Sequence, residues 1–475
     1  MDPQLQPSPL SGSFLALPAT AHLAPTRAAW RRWFAERWVV WLAAAFLAGM
    51  AFPFFRRGAQ SEWQTCYVRA GERMLAGEVI HRLEPSAYAY PPLMAMCAVP
   101  FSCLSPRWSL RVWYAINVAA MFVVLYNAWR LAGSPALARS QGRPAALFGL
   151  AALISFRFLA APLENQQFDV VIAALLLVGC RRLSHGRDLS AALWLGAAAA
   201  MKCTPLLFAP YLAWRGRIQG ACLLVLVAIA LNRLPDYVFP QGQCVVERWH
   251  DIAQPLGGTY LGDWMATFLS RVGRDAPGAW ESDLLLNQSL SGLVNRLVQA
   301  GFPLSTAQLP TAQAELAPAT VRAIRLLVYV LSLVLVGATA LRLGPPGRLP
   351  RAVALSTPGP QSWHDVRFGV EAAMLFCLML LLSPMSSKSH YVVLVLPILL
   401  YARAVVDRPR GLFRWLLVPL VVLGPLTSKG LTGKLVGDLT LCWGFPTQFA
   451  LVLLVVMWAL ASSTTIEGPP VVRTM

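Results

Sequence analysis

The chain has 475 residues, of which 57% are hydrophobic and 13% charged, and its net charge is +18. Soluble proteins carry about a quarter charged residues, so the composition excludes a soluble enzyme and indicates a polytopic membrane protein. The basic residues cluster in short loops between apolar stretches, which is the positive-inside bias of membrane proteins and argues against a nucleic-acid partner.

The first 37 residues predict a flexible cytoplasmic tail, because Pro, Ala, Ser and Leu dominate them. Arginines lie just before the apolar run 38–52, which places the amino terminus in the cytoplasm and is typical of a signal anchor. We expect one transmembrane domain over residues 38–461 and a short cytoplasmic tail over 462–475.

The first outer loop, residues 53–90, contains a short amphipathic pattern that begins directly after Glu62. The pattern predicts a helix that lies on the membrane surface and ends at Gly77. Its apolar members at helical spacing are Trp63, Tyr67, Ala70 and Met74.

Apolar segments follow in quick succession, with a half-inserted piece from Tyr90 to Leu104 and then spans over 109–131, 145–161 and 168–179. Asn165 and Gln166 interrupt this pattern where the chain turns on the outer side. These amides are candidates for substrate binding, and hydrogen bonding between helices is the alternative.

The next segment, Leu189 to Trp214, is interrupted by Lys202 and Pro205. Proline disfavours helix at the residue before it, so we expect a hairpin of two half-helices with Lys202 near its outer tip. One straight span that ends outside is the alternative.

The remaining segments complete a bundle of about ten to twelve helical segments, some of them broken or re-entrant. They lie at 218–231, 321–341, 369–382, 392–404, 416–426 and 448–461. A long outer loop over 235–320 contains Asn287 and Gln288, and no alternating strand pattern occurs. The predicted fold class is therefore all-α.

The unusual polar residues of these segments all fall on the outer face in this topology. Ionisable groups at membrane depth are costly and usually mark a site, which predicts an outward-facing active site. The residues are Glu62, Glu84, Asn165, Gln166, Lys202, Asn287, Gln288, Lys388 and His390.

The chemistry of these side chains suits transfer to a hydroxyl group near an anion. Glu62 is the candidate general base, with Glu78 and Glu84 as alternatives. Lys202 or Lys388 would stabilise a phosphate, and His390 would donate a hydrogen bond to it or assist proton transfer.

Several motifs resemble glycosyltransferase family 87. They are the acid, Tyr67 and Ala70-Gly71 of the first loop, Tyr88-x-Tyr90-Pro-Pro-Leu93, Asn165-Gln166, Lys202-x-x-Pro205, Asn287-Gln288-Ser-Leu290 and Ser383-Pro384 through His390-Tyr391. They occur in order over residues 40–405. The resemblance implies a GT-C-type membrane enzyme that moves a hexose, typically mannose, from a polyprenyl-phosphate carrier to a lipid or glycan acceptor on the extracytoplasmic side of the cell membrane, with inversion.

Two positions depart from the family pattern. Glu62 stands where an aspartate is usual, and His81 stands where a tyrosine is common. The change at Glu62 leaves an inactive relative of the enzyme as one alternative. A transporter or lipid flippase is another, because it also needs polar groups in a bundle of many spans. We expect no cofactor and no metal site, since the nine cysteines are dispersed without a paired motif.

Overall fold

A computed structural model describes residues 27–81, 88–133, 143–239, 258–270, 285–305, 316–347, 366–407 and 411–466. Side chains are described from residue 41, except at 143–145 and 463–466. Glu84, most of the predicted tails and about half of the long outer loop lie outside the described residues. The chain divides into two units, Met1–Gly49 and Met50–Met475.

The described residues form α-helices and short 3₁₀ and π turns, with no strand, which confirms the all-α fold class. The first helix begins at Arg27, inside the predicted tail. The helices are α1 (Arg27–Phe55), α2 (Arg69–Leu75), α3 (Pro92–Ser102), α4 (Pro106–Leu131), α5 (Arg143–Glu164), α6 (Asp169–Ser184), α7 (Asp188–Met201), α8 (Phe208–Trp214), α9 (Ile218–Val238), α10 (Tyr260–Trp264), α11 (Leu290–Ala300), α12 (Pro318–Leu343), α13 (Arg367–Leu381), α14 (Val395–Asp407), α15 (Leu417–Leu423), α16 (Lys429–Cys442) and α17 (Phe445–Ile466).

Six helical segments of the described chain are long and apolar enough to cross a membrane, and a seventh would be a pair bent by 96° around α15 and α16. The segment Lys388–Asp407 is 89% buried over its most apolar window, whereas α12 is 17% buried. Buried helices form the centre of a bundle and apolar exposed ones face lipid. The segment that carries His390 is therefore central, and α12 is peripheral.

The predicted hairpin around Lys202 is confirmed. Lys202 has an extended backbone (φ −158°, ψ 123°) between α7 and a 3₁₀ turn, Thr204–Leu207. Arg217, which follows α8, pairs at 2.7 Å with Asp188 at the start of α7. Because the two ends of the segment meet, α8 returns to the side from which α7 began, and the straight span is excluded.

The close approach of α7 to α9 depends on Gly196. A Cβ atom at this position would lie 2.7 Å from Val227 Cβ and 2.8 Å from the Leu224 carbonyl oxygen. Asn232 on α9 donates to the Ala200 carbonyl at 3.0 Å, near the end of α7. Small residues allow such backbone contact between membrane helices, and here the contact supports the end of α7 next to Lys202.

A buried ionic network ties the opposite end of the hairpin to the bundle. Arg215, after α8, donates two hydrogen bonds to the Glu371 carboxylate of α13, at 2.5 and 3.1 Å. Tyr211 donates to the same carboxylate at 2.8 Å, and Arg215 also donates to the Leu343 carbonyl at 2.9 Å. The network holds α8, α12 and α13 together. The other end of the hairpin, which carries Lys202, takes no part in it.

Candidate active site

Glu62 lies where the chain enters a π-helical turn, Trp63–Val68, that continues into α2. The Trp63 ring stacks on Trp113 of α4, with centroids 3.8 Å apart. Its indole N–H donates to Ser109 Oγ at 3.1 Å. This packing fixes the backbone from which the Glu62 side chain extends.

The short helix after Glu62 ends before Gly77 (φ 68°), as predicted, but it packs into the protein instead of lying on the membrane surface. Gly71 lies so close to α3 that a Cβ atom would be 2.9 Å from the Val99 nitrogen. The four residues of the apolar pattern, at most 1% exposed, are Trp63, Tyr67, Ala70 and Met74.

The Glu62 carboxylate is held by one amide. Gln167 Nε2 donates to its two oxygens at 3.0 and 3.3 Å. Burial raises the pKa of Glu62 to about 7, the Gln167 hydrogen bond opposes the rise, and the nearby charge of Asp169 adds to it. Glu62 can therefore exchange a proton near neutral pH, which a general base requires.

Asp169, the first residue of α6, is the centre of a polar cluster beside Glu62. Lys202 Nζ donates to Asp169 Oδ1 at 2.9 Å, and His390 Nε2 lies 3.8 Å from the same oxygen. Asp169 is only 4% exposed. One buried carboxylate thus holds the hairpin tip through Lys202, and the start of the central span lies beside it.

The protonation state of His390 follows from its hydrogen bonds. The Ser387 backbone N–H donates to His390 Nδ1 at 3.1 Å, so Nδ1 carries a lone pair and the neutral ring has its proton on Nε2. His390 Nε2 lies 3.8 Å from Asp169 Oδ1, too far for a hydrogen bond. A neutral ring with its proton on Nε2 can donate a hydrogen bond to a phosphate oxygen, and this role fits His390 better than proton transfer.

A narrow cavity opens beside this cluster. One wall of the cavity is formed by three ionisable residues, Asp169, Lys202 and His390. The hydroxyl residues Thr204, Ser383 and Ser386 also line it. Apolar side chains from α6, from α13 and from the 3₁₀ turn Lys388–Leu394 form the rest of its lining. The cavity therefore presents a charged wall and hydroxyl groups to a ligand at one end of the bundle.

The two amides of the turn between α5 and α6 have different positions. Asn165 Nδ2 donates to Ser389 Oγ at 3.3 Å, next to His390. Gln166 (φ 57°) is 1% exposed, its side chain donates to the Phe54 carbonyl, and its own carbonyl accepts from Trp113 at 2.9 Å. Asn165 lies at the edge of the site, whereas Gln166 shapes the turn.

Asn287 and Gln288 contact the loop before His390, and they do not line the cavity beside Asp169. Asn287 Nδ2 donates to the Pro384 carbonyl at 2.9 Å, and its Oδ1 accepts from the Ser386 N–H at 3.2 Å. The Gln288 carbonyl accepts from Tyr391 at 2.7 Å. Both residues hold in place the segment that carries His390.

Lys388 belongs to a separate cluster. Its ammonium donates to the Thr427 carbonyl at 3.3 Å, and its charged neighbours are Arg157, Glu164, Lys429 and Asp438. Lys388 and His390 are two residues apart but take part in different groups of charges.

His81 is a structural residue. It is 2% exposed, its Nε2 lies 3.2 Å from the Tyr90 carbonyl, and its ring packs against Tyr88 and Phe268. Burial lowers its pKa to about 3, so it stays neutral and supports the aromatic layer below Glu62.

Sequence reasoning missed Gln167 and Asp169. Asp169 stands inside the apolar stretch 168–179, and the cost of an ionisable group at membrane depth was the signal that could have revealed it. In the part of the chain that the structure describes, no three His, Cys, Asp or Glu side chains are grouped to hold a metal ion.

The comparison with known families agrees with this architecture. The model of glycosyltransferase family 87 matches residues 88–359, which is more than half of the chain. No curated protein matches it. The matched region contains Gln167, Asp169 and Lys202, whereas Glu62 and His390 lie on either side of it. The chain belongs to glycosyltransferase family 87 and is a membrane glycosyltransferase.

Proposed function

We propose that the protein transfers a hexose, mannose in the first instance, from a polyprenyl-phosphate carrier to a hydroxyl group of a lipid or glycan acceptor. Transfer inverts the anomeric carbon and takes place at the extracytoplasmic face of the cell membrane. The observation that carries the proposal is Glu62, a carboxylate with its pKa raised to about 7 beside the Asp169 cluster.

The reaction needs one proton acceptor and one stabilised leaving group. The acceptor hydroxyl oxygen attacks the anomeric carbon, the bond from that carbon to the phosphate oxygen breaks, and the hydroxyl proton passes to Glu62. Polyprenyl phosphate leaves with the bonding electron pair. This parallels the base of an inverting glycosidase, with a sugar or lipid hydroxyl in place of water.

The Asp169 cluster suits the sugar end of the donor. Lys202 Nζ and His390 Nε2 are both hydrogen-bond donors; Asp169 holds Lys202, and the Ser387 backbone N–H holds the His390 ring. Preorganised donors cost no rearrangement when charge develops in the transition state. Lys202 and His390 would bind donor oxygens, and Asn165 and Ser389 would bound the site.

Transfer of labelled mannose from polyprenyl-phosphate mannose, measured with purified protein in proteoliposomes, tests the proposal. We expect Glu62→Gln to lower kcat by about 100- to 10,000-fold, the range of general-base catalysis. Glu72→Gln, at an exposed position of α2, is the matched control and should retain wild-type activity.

Three outcomes would contradict it. Full activity of Glu62→Gln would exclude Glu62 as the base, and loss of activity in Glu78→Gln instead would move that role to Glu78. A wild-type protein that carries a solute or lipid across the bilayer without sugar transfer would favour the transporter alternative.

A further inference from the structure

A second group of charges lies at the same end of the bundle as the Asp169 cluster and takes no part in the chemistry proposed for Glu62. Arg157 of α5 pairs with Glu164 at 2.6 Å, and Lys429, at the start of α16, pairs with Asp438 at 2.5 Å. Lys388 donates to the carbonyl of Thr427, two residues before Lys429, at 3.3 Å, and both pairs are close enough for their charges to act on it. We call these three cations the basic cluster.

The basic cluster has an excess of positive charge. Glu164 and Asp438 neutralise two of the three cations. Among the described residues, no carboxylate lies within 4 Å of the Lys388 ammonium, which donates instead to the Thr427 carbonyl. Arg157 is 8% exposed, and its Nε has no hydrogen-bond partner in the described structure. A buried guanidinium donor without an acceptor is costly, so an acceptor from outside the chain would satisfy it.

The position of Arg157 strengthens this argument. It lies two turns before the end of α5, inside a segment that is apolar and long enough to span the membrane. Charged residues at such depth are rare, and by default they indicate a functional site. The Glu164 carboxylate, 37% exposed, neutralises part of this charge and leaves the Nε group unused.

We propose that Arg157, Lys388 and Lys429 bind the phosphate group of a membrane lipid. Arginine and lysine are the side chains that recognise phosphate groups in proteins, and the basic cluster supplies one arginine and two lysines. At the Asp169 cluster, by contrast, carboxylates already offset the charge of Lys202.

The phosphate could belong to either of the two lipids that the proposed function brings together, on which this inference rests in part: the polyprenyl carrier or a phospholipid acceptor. In both cases the geometry links binding to chemistry. Lys388 and His390 flank Ser389, which accepts from Asn165 at 3.3 Å. A phosphate held by Lys388 would therefore lie beside the segment that presents His390 to the Asp169 cluster.

Lipid binding without turnover tests the inference. The full-length protein in neutral maltoside micelles is titrated with undecaprenyl phosphate, with undecaprenol as its phosphate-free match, and with phosphatidylinositol against diacylglycerol. We expect the wild type to prefer at least one phosphate lipid over its match, and Lys388→Met to weaken that binding at least tenfold, or about 1.4 kcal/mol. Lys434→Met, an exposed lysine of the same α16, is the matched control.

Arg157→Lys serves as a second variant that keeps the charge but loses the fork, and it should weaken the same lipid by a smaller factor. Thermal unfolding of each variant separates lost binding from lost folding. If Lys388→Met weakens the binding of undecaprenyl phosphate, the site holds the carrier. If it weakens the binding of phosphatidylinositol, the site holds the acceptor.

Equal binding of both phosphate lipids by Lys388→Met and wild type would overturn the inference. So would Lys388-dependent binding of inorganic phosphate alone with no preference for phosphate lipids. Lys388-dependent lipid binding in a protein that transfers no mannose would contradict the proposed function and leave the phosphate site standing, so the two failures are distinguishable.

Discussion

Glu62 and Asp169 are neighbouring buried carboxylates whose partners give them different roles. A neutral amide, from Gln167, donates to Glu62, whereas the Lys202 ammonium contacts Asp169. Burial raises the pKa of Glu62 to about 7 against the opposing effects of Gln167 and of the nearby cations, whereas a direct ion pair favours the charged form of an acid. Glu62 is suited to accept a proton, and Asp169 is suited to hold the groups around it.

The pH dependence of activity should report this difference. A base is active when deprotonated, so we expect kcat/KM to rise with pH to a plateau, with a midpoint near 7 set by Glu62. Gln167→Leu removes the hydrogen bond that lowers the pKa of Glu62. It should therefore move the midpoint upward by about one pH unit, the equivalent of about 1.4 kcal/mol.

Initial rates of mannose transfer between pH 5.5 and 9 measure the shift. Glu62→Asp keeps an ionisable group and should retain a pH-dependent limb, whereas the residual rate of Glu62→Gln should lack it. An unchanged midpoint in Gln167→Leu would show that another group controls the limb.

Sequence reasoning found most of the candidate residues but not their partners. Glu62, Lys202 and His390 interrupt apolar segments, and the cost of burying them is visible without a fold. Gln166, Asn287 and Gln288 are polar in the same way, yet their side chains turn toward backbone groups. Which way an amide points depends on tertiary packing, and the sequence does not contain that direction.

At the scale of elements, the hairpin of α7 and α8 determines where Lys202 lies. The sequence predicts the break, since Pro205 and Lys202 both oppose a continuous apolar helix. It does not predict that α7 and α9 are in contact at Gly196, because α8 separates these two helices in the sequence. The position of Lys202 thus depends on a local signal and on a packing contact.

Gly196→Ala should test the packing contact. The added methyl group would lie 2.7–2.8 Å from Val227 Cβ and the Leu224 carbonyl oxygen, so α7 and α9 must separate. Overpacking of this kind costs about 1–3 kcal/mol. We expect a lower thermal midpoint for the solubilised protein and a lower transfer rate, because the end of α7 carries Lys202.

Gly149→Ala is the matched control. Gly149 lies within α5, and a Cβ atom added there would meet no other atom within 4 Å, so the substitution should leave the midpoint unchanged or raise it slightly. A Gly196→Ala protein as stable and active as the Gly149→Ala protein would contradict the role of the contact.

At the scale of the whole molecule, four arginines at helix ends lie at the end of the bundle opposite to the Asp169 cluster. Arg215 and Arg217 follow α8, Arg342 ends α12 and Arg367 begins α13. Arginines collect on the cytoplasmic side of membrane proteins. This asymmetry supports the extracytoplasmic orientation proposed for the site.

Cysteine labelling checks that orientation. A membrane-impermeant maleimide added to intact cells should modify Ala76→Cys, an exposed position after α2, and should reach Gln219→Cys, at the start of α9, only after permeabilisation. Peptide mass spectrometry distinguishes these positions from the native cysteines. The reverse pattern would place the site on the cytoplasmic side.

The ion pair between Asp169 and Lys202 also affects how quickly product can leave. An anion that reaches Lys202 must compete with a carboxylate already 2.9 Å away, so part of its binding free energy is spent on displacing Asp169. After transfer, Asp169 can return to Lys202 and expel the anion. In the proposed reaction the internal counter-ion would thus weaken retention of the leaving phosphate, and it would favour repeated turnover over tight binding of product.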